Sequence, residues 1–254
     1  MSPFTRIAVI SASLLAAVLA PVTTYAQALP SATEVIAKYV TAIGGKAALM
    51  KVTSIKQTAT MEVPAIGLSA SMEMYSAAPN KMAVSTNVPG MGIMQSGYNG
   101  KVAWDVNPMQ GPRLLADKEL ASSADNADFY GNMLYSPENF ASMETVGDTT
   151  INGERAYKVK MVRKATMKES SSFFSAKSGL LLAGISSQES QMGTMQVTST
   201  MSDYKAFGSV LMATKLEQQM GPQKIIVSIT DVTINGAPDA AFAVPDQVKP
   251  LIKP

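Results

Sequence analysis

The chain has 254 residues, with 18 Met, no His, no Cys and a formal net charge of +2. These absences exclude a Ser-His-Asp triad, a cysteine nucleophile, a His-ligated zinc and any disulfide. The near-balanced charge gives the chain as a whole no pull toward nucleic acid or an acidic membrane surface.

The first segment reads as a secretory leader. Arg6 supplies a positive start, and Ile7 to Ala20 is an uncharged apolar run too short to span a bilayer comfortably. Thr24-Tyr25-Ala26 predicts cleavage after Ala26. Gln27, not Cys, would follow the cut, so the expected mature chain, 27–254, is not lipidated. It contains no later stretch with transmembrane character, and the expected compartment is the periplasm.

The mature chain opens on a predicted helix. Ser31 and Glu34 form a capping-box pair, and Val35, Ile36, Tyr39, Val40 and Ile43 recur on one face. Gly44-Gly45 stops it. After Val52 the period changes to two. Ile55, Ala59, Met61 and Val63 alternate with polar residues; Leu68, Ala70, Met72 and Met74 do the same, and Met82, Val84, Thr86 and Val88 follow. The runs Met94 to Tyr98 and Val102 to Val106 flank Asn99-Gly100, which predicts a two-residue hairpin. Asp117 to Leu134 predicts one helix, with Leu120, Ala124, Ala127, Tyr130 and Leu134 on one face. Strands are expected again from about Met143, past a second turn at Asn152-Gly153, through 154–163, 168–175, 180–189, 194–205, 209–219 and 223–233. A Pro-rich tail follows Asn235-Gly236. About a dozen antiparallel strands without an internal linker predict one mainly β (α+β) domain whose sheet curls rather than lies flat.

Catalytic motifs are weak. Gly90-Met91-Gly92 lacks the third glycine and the helix of a nucleotide loop, and Ser202-x-x-Lys205 ends a strand where the acyl-transfer motif needs a helix start. No calcium loop is present, and no cofactor is implied. The methionines carry the remaining signal. A thioether side chain is flexible and polarizable, suited either to filling a core or to walling a greasy ligand site. Copper(I) is a third use, but such sites usually recruit His or Cys as well. Met61, Met72, Met74 and Met82 are the candidate wall. Trp104 is either a core anchor or a ligand contact. Phe129 and Leu134, in the middle helix, either cover a core or form a lid.

The segment Glu34 to Lys56, with Ala78-Pro79-Asn80-Lys81, Gly97 to Trp104 and Ala241-Phe242-Ala243-Val244-Pro245, resembles the outer-membrane lipoprotein-sorting proteins of the LolA/LolB carrier superfamily. The resemblance implies an unclosed antiparallel half-barrel wrapped on an N-terminal helix, with a helical lid and a cavity for acyl chains. This chain is longer than the soluble carrier, with extra strand-like sequence after residue 154. Together these readings predict a periplasmic, non-enzymatic carrier or sensor of a lipid or acylated protein. The alternative is a structural or interaction module that binds an envelope protein partner.

Overall fold

A computed structural model describes residues 28–190 and 193–252. The expected leader and Met192 lie outside them. Helix α1 (Ala32–Ala42) starts where the capping box predicts. The Ser31 N–H donates to Glu34 Oε2 at 2.7 Å, and the Glu34 N–H returns the bond to Ser31 Oγ at 3.3 Å. A one-turn helix α2 (Lys46–Leu49) follows the two glycines. At Gly44 the backbone takes φ +128°, and any Cβ there would run into the Ser209 carbonyl, so the close approach of this corner to a distant strand requires glycine.

Thirteen strands then form one sheet. The first six are β1 (Ser54–Val63), β2 (Leu68–Ala77), β3 (Lys81–Val88), β4 (Gly92–Tyr98), β5 (Ala103–Asn107) and β6 (Gly111–Leu115). After helices α3 (Asp117–Asn126) and α4 (Phe129–Leu134) come β7 (Phe140–Ile151), β8 (Glu154–Arg163), β9 (Glu169–Ser175), β10 (Leu181–Ser190), β11 (Gly193–Phe207), β12 (Val210–Met220) and β13 (Gln223–Ile234). The spatial order is β6-β5-β4-β3-β2-β1-β13-β12-β11-β10-β9-β8-β7. Two meanders are thus joined by the antiparallel pairing of β1 with β13, in which Ile55 faces Ile234 and Met61 faces Val227. The sheet is curved and unclosed, a half-barrel whose edges are β6 and β7. Because those edge strands are consecutive in sequence, the chain between them must cross from one edge to the other. That crossing carries α3 and α4 and makes the helical lid.

Three local expectations differ. The predicted helix over 117–134 is two helices, because Asp128 caps a new one: its Oδ1 accepts from the Gly131 N–H at 3.0 Å. The Asn99-Gly100 hairpin is a four-residue loop, since Tyr98 pairs with Ala103. Asn99 Oδ1 accepts from the Lys101 and Val102 amides at 3.1 and 2.9 Å, an Asx arrangement that replaces the tight turn. Asn152-Gly153 is the two-residue hairpin of this kind, with both residues at positive φ (+49° and +82°). Finally, β6 gives no strand signal in the sequence because it contains Pro112. As an edge strand it can carry a residue without an N–H to donate.

Register divides the side chains between two faces. The inner face meets the helices. Val35, Ile36 and Tyr39 of α1 pack on Val159, Met161 and Phe174, while Ile43 and Leu49 pack with Val52, Ile55, Phe129, Leu134 and Val210. Helix α3 lays Leu120 and Ala124 against Tyr98, Ala103 and Met82. The outer face has its own smaller clusters, one of them Trp104 and Val106 beneath Val244 and Val248 of the C-terminal segment.

Candidate functional site

The site is built by strand pairing. Along the inner face, one cross-strand row runs Met201, Leu216, Val227, Met61 and Ala70. The adjoining row runs Ala59, Met72, Thr86 and Met94, and the next runs Gln57, Met74, Val84 and Ser96. Small side chains in these rows, Ala59, Ala70 and Thr86, are buried, whereas Met61, Met72, Met74, Met82 and Met94 are each half-buried. What the inner wall presents is therefore largely thioether and aliphatic.

The two ends of this wall differ. The hairpin turns β1–β2, β3–β4, β5–β6, β8–β9 and β12–β13 lie at one end, because each paired neighbour runs antiparallel. The starts of β1 and β12 and the end of β13 lie at the other, where Ile43, Leu49, Phe129 and Leu134 plug the trough. Met61, Met72 and Met94 belong to the unplugged half.

Between the two arms, beneath α3, is a cavity of about 580 Å³. Met82 and Leu115 supply apolar floor, but most of the lining is polar, including Ser96, Ser123, Ser170 and Gln188. Two arginines tie the lid across it. Arg113 of edge strand β6 grips Glu119 of α3 with two bonds, at 2.8 and 3.1 Å, and reaches Asp105 at 3.3 Å. Arg163, next to the opposite edge, places Nε 3.3 Å from Asp125 and hydrogen-bonds Asn132, and its guanidinium lies 4.7 Å from the centre of the Phe140 ring. Its Nη1 is buried and makes no hydrogen bond. Burial pushes the Asp125 carboxyl above its ordinary range, and Arg163 opposes that shift without reversing it. Lys168 adds a bond to Ser122 of α3 at 2.7 Å.

The sequence candidates fall in three places. Met61, Met72, Met74 and Met82 share the inner face. Trp104 turns to the outer face, almost wholly buried with Val106 and Val248. Phe129 and Leu134 are buried in the plug at the closed end. Sequence reasoning did not reach Leu216, Val227 or Met201, which join the Met61 row only through the β1–β13 pairing. Of the cavity's lining, which runs from residue 82 to residue 188, it reached Met82 and Trp104 but none of the polar residues. Among the described residues no cluster of three or more His, Cys, Asp or Glu could hold a metal, and no helix is long and apolar enough to cross a membrane.

No protein-family profile matches this chain, and no curated protein matches it in sequence. Solved structures do. A DUF1329 family protein from Desulfovibrio piger superposes with a TM-score of 0.58 over 84% of this chain and 97% of its own, at 11% identity. A LolA superfamily protein from Nitrosomonas europaea gives 0.55 over 85% and 99%, at 12% identity. The fold is LolA-like. A Vibrio parahaemolyticus domain described as an outer-membrane lipoprotein-sorting protein domain gives 0.51 over 83% and 94%, at 11% identity. At such identities the likeness is one of fold. The LolA-like half-barrel accounts for the curl of the sheet, for the helix packed within it and for the lid.

Proposed function

We propose that this protein holds the acyl chain of a lipid or acylated protein in its inner trough and acts as a carrier or sensor, without catalysis. The observation that carries this reading is the half-buried methionine wall on the inner face of a LolA-like fold, Met61, Met72 and Met94 in the unplugged half and Met74 and Met82 farther toward the plug. Apolar area supplies the affinity: each buried CH₂ contributes about 0.8 kcal/mol, so one chain of ordinary length suffices for tight binding. Thioethers adapt to chains of differing shape. The neighbouring polar cavity offers hydroxyls and amides where a head group or the first residues of an acylated peptide would lie. A leader over 1–26 and residence in the periplasm fit this role, as does the fold shared with a domain described as lipoprotein-sorting.

The test is native mass spectrometry of protein purified from the periplasm, with titration of a fluorescent fatty acid. Co-purifying lipid and saturable uptake are expected. Met72→Asp places a carboxylate on the wall and should weaken uptake at least about tenfold, with the circular dichroism spectrum unchanged. Protein free of lipid that takes up no probe, or a Met72→Asp variant that binds as tightly as the parent, would count against the proposal. A single stoichiometric protein partner in place of lipid would favour an interaction module.

A further inference from the structure

Among the described residues ten large apolar side chains are exposed, and five of them, Ile66, Met91, Ile93, Met109 and Met167, stand together at the rim of the unplugged end. Three are more exposed than a ligand wall requires: Ile66 at 70%, Met109 at 77% and Met167 at 67%. Ile66, Met91, Met109 and Met167 occupy four separate hairpin turns, β1–β2, β3–β4, β5–β6 and β8–β9, and Ile93 lies at the start of β4 beside the second of them. Antiparallel pairing fixes their common end, and the turn at 191–192 lies outside the described residues.

From this arrangement we infer that the rim docks on a lipid bilayer surface, with the turns inserting their apolar tips. Spacing argues for a bilayer over a folded partner. Adjacent strands are about 4.8 Å apart, so successive hairpin tips stand roughly 10 Å apart with polar gaps between them. Such points form no continuous apolar patch for a protein to cover, yet each can enter an interfacial layer independently. Composition agrees. The turns 64–67, 89–92, 108–111, 164–168 and 221–224 contain no carboxylate, and their charged residues are all lysines: Lys164, Lys168 and Lys224. Of the strand carboxylates near this end, Glu169 is paired with Lys160 at 2.8 Å and Glu217 with Lys224 at 2.6 Å, while Glu62 stands one residue inside the β1–β2 turn. With Lys224 so paired, the positive charge of the turns lies at β8–β9, in Lys164 and Lys168, where it can face anionic head groups. Continuity adds a third reason. Met61, Met72 and Met94 line the trough just inside the rim, so docking would place the trough mouth against the lipid.

Vesicle co-sedimentation of the chain 27–254 tests this, using phosphatidylcholine vesicles with and without phosphatidylglycerol. Binding is expected to the mixed vesicles and to weaken as salt is raised. Met109→Ser with Met167→Ser should reduce it at least about tenfold, while Met50→Ser, at the plugged end, leaves it unchanged. Because these side chains are exposed, the variants should melt like the parent. Fatty-acid uptake in solution by the double variant should also stay unchanged, which separates failure of the rim from failure of the trough. Three results would overturn the inference: no vesicle binding by the parent, equal binding by the double variant, or self-association that the same substitutions abolish.

Discussion

A single position on the outer face shows how tightly the sheet constrains its residues. Gly97 faces Trp104 across β4 and β5, and the indole ring lies over it. A Cβ at Gly97 would collide with ring atoms Cζ2 and Cε2 of Trp104. The tryptophan therefore acts as packing for a glycine strand position, beneath Val244 and Val248. Gly97→Ala should cost about 1–3 kcal/mol through displacement of the ring. As Trp104 is the sole tryptophan, its emission maximum should shift in step with a lowered urea midpoint. A variant with parental midpoint and emission would show that the ring has room to move. The alternation Val102, Trp104, Val106 told the side on which Trp104 lies relative to its neighbours. It could not say that this is the outer side, because period two distinguishes two faces without ranking them.

At the scale of elements, the lid is the part whose stability the structure explains most directly. α3 carries few apolar side chains and is held by ion pairs at both arms, Arg113 with Glu119 and Arg163 with Asp125. The second pair is the more buried and the more consequential, since losing one partner leaves a desolvated charge. Arg163→Met should destabilise the protein by about 3 kcal/mol and raise hydrogen exchange across 117–126 more than across β1 and β13. Replacing Asp125 by Leu in the same chain should recover part of the loss, because the orphaned carboxylate goes with it. Uniform exchange in the single variant would mean that apolar contacts, not the arginine, hold α3 down. The apolar spacing of 117–134 made a helical segment legible. The break at Ala127 and Asp128 was less so, for Asp128 reads as an ordinary helical residue until its carboxylate is seen capping Gly131 and accepting from Asn139.

For the molecule as a whole, the decisive event is the pairing of β1 with β13, strands separated by some 160 residues of chain. It joins two meanders into one curved wall, and the order of the edges obliges the lid to cross that wall. A ligand in the trough would touch both meanders and so stabilise the entire cooperative unit. At a concentration about a hundredfold above Kd it should add about 2.7 kcal/mol, or roughly 5–10 °C in Tm for a chain of this size. A thermal-shift series with acylated amphiphiles of increasing length reads this directly, and a flat series would place binding outside the trough. The amino-acid sequence by itself determined the chemistry this protein lacks, the capped first helix and the strand-by-strand alternation that puts Met61, Met72, Met74 and Met82 each on the apolar side of its strand. Those are local consequences of composition, capping and a period of two. Only the tertiary structure decided which face is inner, that Met61 stands in line with Leu216 and Met201, that Trp104 points away, and that serines and arginines distant in sequence enclose a polar cavity. The physical reason is that curl and long-range register arise from contacts between segments far apart in the chain, and no local pattern carries them.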